Sequence, residues 1–332
     1  MCDCGEVNPI CFDLEGPLAP QDNAYELMRQ FPNGDRVFEV ISRYDDLLTL
    51  QGRAGYEPGD TLALTVPFLA CHGIRESQIA DMGRKATLTS GALQLVTMLK
   101  SRGWDIFCIS TSYEQYALSI TERLGIPPQN VASTSFPLER FRQLLNKEDL
   151  ALLQEAEERF SSLLSDDEIQ QALDHFYLEV LPRTNSGKII ANVKPIGGMR
   201  KVQALEDFAT RLQKPLRQWV AVGDSITDYK MLQRVNQVGG LAIAFNGNEF
   251  ALPHATMGLA SARLDDLWIA LEAWEKGKRR AVRLTVEKRE KAGGKGDRAW
   301  FHWLPAERDL AQALGVHRRL RLLVRAEAAK LG

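Results

Sequence analysis

Four places in the chain set acids, hydroxyls and an ammonium in an order that suits phosphoryl chemistry. Asp13 and Glu15 stand in Asp13-Leu14-Glu15-Gly16-Pro17-Leu18, and Ser110 opens Ser110-Thr111-Ser112. Lys201 follows, and then Asp224 and Asp228 in Gly223-Asp224-Ser225-Ile226-Thr227-Asp228. Moving a phosphoryl group onto a carboxylate needs a nucleophile, a proton donor for the leaving oxygen, and positive charge on the transferring oxygens. Asp13 can be the nucleophile and Glu15, two residues on, the donor. Asp13 with Asp224 makes a hard oxygen site suited to magnesium, which accepts one or two carboxylates beside waters and phosphate oxygens. Ser110 offers a hydroxyl and neighbouring N–H groups to a phosphate oxygen. Lys201 offers an ammonium that offsets the crowded carboxylates. Each piece is common alone, and an isolated Asp-x-Glu is usually a turn or a helix cap. Their order along the chain is what carries the reading.

Such groups need rigid elements to present them. Ile10-Cys11-Phe12, Ile106-Phe107-Cys108-Ile109, Trp219-Val220-Ala221-Val222 and Leu241-Ala242-Ile243-Ala244-Phe245 are apolar runs too short for helices, and they predict buried parallel strands. Helical patterns lie between them over 92–102, 116–124, 201–212 and 229–235; the first meets a stop at Gly103 and the second at Gly125-Ile126-Pro127-Pro128. This alternation predicts an α/β fold with a doubly wound parallel sheet, whose chemistry lies at the carboxyl ends of the strands. Asp13, Ser110 and Asp224 come directly after the first three runs or within one residue of them.

Two stretches break the alternation. Residues from Asp22 to about Arg84, and from Leu138 to about Leu181, are helical in pattern and read as insertions over the strand ends, where a lid belongs. The predicted organisation is a core of residues 1–20, 87–136 and 183–272, a helical cap at 21–86, a second helical insertion at 137–182 and a C-terminal extension at 273–332. Arg53, Arg75 and Arg84 in the cap are candidates to meet an anionic leaving group, and are otherwise surface charge.

The order of the motifs resembles that of the haloacid dehalogenase superfamily, and the likeness extends beyond them. Thr89–Gly125 is similar to the helix–strand–helix unit of its phosphoserine-phosphatase-like members. Asn185–Leu205 looks like their small hairpin and lysine segment, and Trp219–Met231 with Gly239–Ala255 looks like the fourth motif and the strand after it. The resemblance implies a Rossmann-like core and magnesium-dependent hydrolysis of a small phosphorylated metabolite, through an aspartyl-phosphate on Asp13 with Glu15 as acid and then base. Magnesium would be held by Asp13, the backbone carbonyl of Glu15 and Asp224, with Asp228 at or just behind the metal. Ser110 and Lys201 would grip the phosphate. A protein of the same fold that binds or regulates without turnover is the alternative.

The chain departs from the family pattern in places. The second acid is Glu15 where aspartate is usual, as also occurs in the enolase-phosphatase branch; the extra methylene shifts the carboxyl by about 1.5 Å. Lys194 competes with Lys201 for the lysine role, but the 23 residues from Lys201 to Asp224 fit the family spacing. Thr111 puts a branched side chain where those relatives have glycine beside the substrate. Asp22 falls where they carry a glutamate that meets a substrate amino group, and it equally reads as the N-cap of a helix over 24–30.

The formal net charge of -2 conceals an uneven distribution. From Lys276 to the end there are 16 Lys or Arg against 6 Asp or Glu, so a strongly basic extension joins an acidic body. Two readings of it compete: a helical pair folding its Trp and Leu residues onto the core with its basic face towards the body, or a basic, aromatic-interleaved surface for RNA or single-stranded DNA. No apolar run approaches the roughly 18 residues of a membrane helix, and the polar start of the chain does not read as a signal peptide. A cytoplasmic protein without a membrane partner is the expectation. Of five cysteines, Cys11 and Cys108 lie in apolar runs, while Cys2 and Cys4 form a Cys-x-Cys pair with no second pair to complete a tetrahedral metal site.

Overall fold

β1 (Pro9–Phe12) lies inside a seven-stranded sheet, buried on both faces. The other strands are β2 (Asp105–Tyr113), β3 (Val131–Thr134), β4 (Val220–Gly223), β5 (Leu241–Phe245), β6 (Met257–Ala260) and β7 (Trp300–Trp303). Their order across the sheet is β3-β2-β1-β4-β5-β6-β7. The first six are parallel, and β7 runs antiparallel to β6 with Trp303 opposite Met257. These relations come from a computed structural model that describes residues 8–292, 299–305, 307–326 and 328. Cys2, Cys4 and the glycine break at 293–296 lie outside the described residues.

Successive side chains of a strand point to opposite faces, and the sheet uses both. Ile10 and Phe12 join one apolar cluster and Cys11 the other; Ile106 and Cys108 divide from Phe107 and Ile109 in the same way. This explains why the strands read as unbroken apolar runs. Fourteen α-helices are described. α1 (Asn23–Met28), α2 (Gly34–Leu50), α3 (Thr61–Cys71) and α4 (Glu76–Lys85) follow β1, and α5 (Ala92–Ser101) and α6 (Glu114–Arg123) flank β2. α7 (Leu138–Arg142), α8 (Lys147–Ser161), α9 (Asp166–Asp174) and α10 (Asn185–Asn192) follow β3, α11 (Met199–Leu212) and α12 (Tyr229–Gln237) flank β4, and α13 (Trp268–Ala292) and α14 (Ala311–Arg325) lie in the C-terminal part.

The two insertions build one helical unit over the strand ends. α2 packs on α8 and α9, and α3 packs on α7, α8 and α10. Phe68 meets Phe160 and Phe176 across that joint. Tyr44 donates to Asp174 at 2.7 Å, and Arg43 pairs with Asp166. α8 and α9 begin at capping boxes, Asn146 with Asp149 and Ser165 with Glu168, which satisfy first-turn amides. α4 departs from the rest of the first insertion and packs on core helix α6.

Three expectations are corrected. The segment from Asn185 forms helix α10 where a hairpin is expected: the Thr184 hydroxyl caps it by accepting from Gly187 N, and Ile189 buries itself within the cap. β2 continues through Ser110, Thr111 and Ser112 to Tyr113, so these residues lie within the strand and not after it. The C-terminal extension includes a strand as well as helices: β7 adds to the sheet edge, Phe301 turns into the core, and α13 is broken at Gly277 and Lys278. Among the described residues no helix is long and apolar enough to cross a membrane.

Candidate active site

β1 and β4 are neighbours, and the strand order runs outward in opposite directions from their junction. Such a switch point opens a crevice at the carboxyl ends of the strands. Asp13 stands there, just past β1, its backbone N–H donating to Val222 O at 2.8 Å. Lys201, in the first turn of α11 and wholly buried, donates to Asp13 Oδ1 at 2.7 Å and to Asp228 Oδ1 at 2.7 Å. The other Asp228 oxygen accepts from the N–H groups of Asp224 (2.9 Å) and Ser225 (3.1 Å). Asp228 therefore fixes both the ammonium and the loop that carries Asp224. Lys194 is exposed and lines a separate cavity of about 380 Å3 within the cap.

Asp13, Asp224 and Asp228 each offer one carboxylate oxygen within 4.8 Å of the others. Gly16 lets the loop after β1 approach Asp224: its φ is +109°, and a Cβ there would stand 2.4 Å from Asp224 Oδ2. Asp224 Oδ2 accepts from Arg325 Nη1 at 2.8 Å and also from Arg321. Asp224 Oδ1 is buried with no hydrogen-bond partner. An unsatisfied buried carboxylate oxygen is costly, and a hard cation between the carboxylates would satisfy it. The donor set therefore fits magnesium.

Burial raises the Asp13 carboxyl pKa well above its ordinary value; the Asp228 charge adds to this and Lys201 opposes it. Burial disfavours the charge on Lys201, but Asp13 and Asp228 together raise its pKa, so it stays an ammonium. Glu15 is pushed up to about 7, first by burial and then by the charge of Asp22, against hydrogen bonds from Asn23. Those bonds run from Asn23 N (2.6 Å) and Asn23 Nδ2 (2.9 Å) to Glu15 Oε1. The side chain is thus held off the aspartate cluster and faces the cavity.

That cavity, of about 70 Å3, has room for several water-sized groups. Asp13, Glu15, Thr111 and Arg325 line it from the core, and Asp22, Phe38, Asp45 and Gly59 line it from the cap. Asp22 both lines the cavity and caps α1, accepting from Tyr25 N at 2.9 Å. Ser110 is fully buried, and its Oγ accepts from Ser112 N at 3.0 Å. Thr111 donates to Ile196 O at 3.0 Å, which turns its methyl towards Gly59 of the cap. Arg53 pairs with Asp174 and Arg84 with Asp81, away from this cavity.

Arg321 and Arg325 are missing from the residues picked out by motif. Their signal is helical phase: Ala313, His317, Leu320, Arg321 and Arg325 share the buried side of α14, so two arginines stand where apolar residues would.

Residues 93–263, slightly more than half the chain, match the family described as haloacid dehalogenase-like hydrolase. The chain is similar to the gene product AF1437 from Archaeoglobus fulgidus, with 28% identity, a TM-score of 0.86, and coverage of 98% of this chain and 99% of that one. Phosphoserine phosphatase in its apo form superposes with a TM-score of 0.51 at 17% identity, over 79% of this chain and 98% of that one. A phospho-aspartyl intermediate analogue of phosphoserine phosphatase gives 0.52 at 18% identity, with the same coverage. At these identities the two phosphatase structures speak for the fold alone. No curated protein matches the chain. The strand order, the placement of Asp13 and Asp224 at the strand ends beside Lys201 and the family match agree: this chain belongs to the haloacid dehalogenase-like hydrolases.

Proposed function

We propose that the protein is a magnesium-dependent phosphomonoesterase that passes the phosphoryl group through Asp13. The observation that carries the proposal is the pairing of Asp13 with buried Lys201, beside an Asp224 oxygen that lacks any partner. The first gives a nucleophile with a fixed cation next to it, and the second gives a place for a metal. Asp13, Asp224 and the backbone carbonyl of Glu15 would hold magnesium, with Asp228 behind them. The ion would supply positive charge to the transferring oxygens.

The chain's own residues account for the remaining steps. A free Asp13 oxygen attacks phosphorus as the bond to the leaving oxygen breaks, while Glu15 gives that oxygen its proton. Ionised Glu15 then takes a proton from water as the water oxygen attacks the aspartyl-phosphate. The P–O bond to Asp13 breaks, inorganic phosphate leaves, and the Asp13 carboxylate returns. A carboxyl pushed up to about 7 can serve in both directions near neutral pH. Lys201 keeps Asp13 oriented throughout, and the Ser110 hydroxyl would donate to a phosphate oxygen. The small cavity closed by Gly59 and Thr111 favours a small phosphorylated metabolite.

The test is to quench the protein in acid during turnover of a phosphomonoester panel and map phosphorylated peptides by mass spectrometry. A phosphoryl group on Asp13 is expected. Turnover with the label on another residue, or on none, would sink the proposed route.

A further inference from the structure

The C-terminal extension reaches the reactive carboxylates. α14 packs on β6, and its buried side ends in Arg321 and Arg325, one turn apart. Arg321 Nη1 donates to the Asp224 backbone carbonyl at 3.2 Å and to Asp224 Oδ2. Arg325 Nη1 donates to the same Oδ2 at 2.8 Å, and its Nε to Pro20 O at 3.2 Å. Arg321 is 3% exposed and Arg325 8%. Burying two guanidinium groups is expensive unless each meets a charge. Here both meet one oxygen of one carboxylate.

That arrangement divides Asp224 between two tasks. Oδ2 is saturated by arginine, and Oδ1 is buried without a partner. The charge balance points the same way. With all groups ionised, the carboxylates of Asp13, Glu15, Asp22, Asp45, Asp224 and Asp228 outnumber the cations of Lys201, Arg321 and Arg325, so the site is negative and would favour a cation.

We propose that Arg321 and Arg325 are positioning residues of the metal site, holding Asp224 by Oδ2 so that Oδ1 is the oxygen left for magnesium. The C-terminal extension is then part of the active site and not an appendage to it. The inference rests on the magnesium-dependent reading above. Partners that orient a ligating carboxylate typically contribute 10–100-fold to metal affinity when they are removed one at a time.

The test is magnesium binding to the full chain by titration calorimetry. Arg321→Gln and Arg325→Gln are expected to raise Kd by about 10–100-fold, with Arg321→Lys falling between them and the native chain. Arg318→Gln is the control: Arg318 lies on the same helix, is largely exposed and pairs with Glu249, and its loss should leave Kd unchanged. Variants that match the native chain in thermal unfolding without metal and yet bind magnesium equally well, or more tightly, would overturn the proposal. A second readout needs no variant. If docked α14 favours magnesium, magnesium must favour docked α14, so saturating magnesium should slow hydrogen exchange along α14 in the native chain. Unchanged exchange in the metal-bound chain would also overturn it. A native chain that binds no magnesium would instead remove the metal reading on which the inference stands.

Discussion

Lys201 Nζ lies 2.7 Å from Asp13 Oδ1 in a place that solvent does not reach, and a second 2.7 Å contact ties the same ammonium to Asp228. One cation thereby holds the proposed nucleophile at the end of β1 and a carboxylate from the loop after β4. Lys201→Met would leave the two acids buried together. Breaking a buried pair in this way costs about 3–5 kcal/mol. Urea denaturation at neutral pH should show a loss of that order, and turnover should vanish. The deficit should shrink as the pH falls and the stranded carboxyls take up protons. A variant as stable as the native chain at neutral pH would contradict this account.

Glu15→Gln keeps the shape and the contact with Asn23 but removes the transferable proton. Turnover should fall by about 10²–10⁴-fold, with the unfolding transition little changed. Steady-state kinetics and circular dichroism on the same samples decide it. Unaltered turnover would remove Glu15 from the mechanism.

At Gly59 the cap touches the core beside the cavity. Its φ is +92°, and a Cβ would lie 2.7 Å from Thr111 Cγ2 and 3.2 Å from Thr227 Cγ2. Gly59→Ala should destabilise the chain by more than the roughly 0.4–1 kcal/mol at stake at an unstrained site, and should lower kcat/KM by holding the cap off the cavity. Thr111→Ser in the same chain should restore part of both. If the double variant is no better than Gly59→Ala alone, the contact does not limit closure.

Asp45 supports the same loop, accepting from Tyr56 Oη at 2.6 Å, Gly59 N at 3.3 Å and Thr61 N at 3.3 Å. Burial pushes its carboxyl up to about 7, above an unfolded value of about 3.9. Between those values the folded chain holds a proton that the unfolded chain has released, so this group's contribution to stability falls as pH rises from about 4 to 7. Asp45→Asn lacks the titration. Whatever its offset at pH 4, the variant should gain on the native chain as pH rises through that window. Denaturant midpoints at both ends measure it, and a pH-independent offset would refute the assignment.

The legible part of the site lies where chemistry follows a short, unbroken apolar run. Asp13 and Asp224 stand at the ends of β1 and β4, strands whose alternate side chains enter the apolar clusters on both faces of the sheet. Spacing alone favours Lys201 over Lys194, and the structure puts only Lys201 at the aspartates. β3 and β6 carry little signal because Val131-Ala132-Ser133-Thr134 and Met257-Gly258-Leu259-Ala260 are short and rich in small or polar residues, and β3 is a half-buried edge strand. β7 was hidden in a segment whose composition speaks of charge. The helix α10 replaced an expected hairpin because its Ile189 is buried in the cap, a tertiary contact that no local pattern announces. Arg321 and Arg325 went unread because a count of basic residues ignores helical phase.

The most direct test of the central claim is phosphate release from a panel of phosphomonoesters, with and without magnesium, by the native chain and by Asp13→Asn. The account predicts release by the native chain that requires magnesium and is abolished in the variant, with both chains equally folded. Release by Asp13→Asn at the native rate, or release unaffected by removing magnesium, would contradict it.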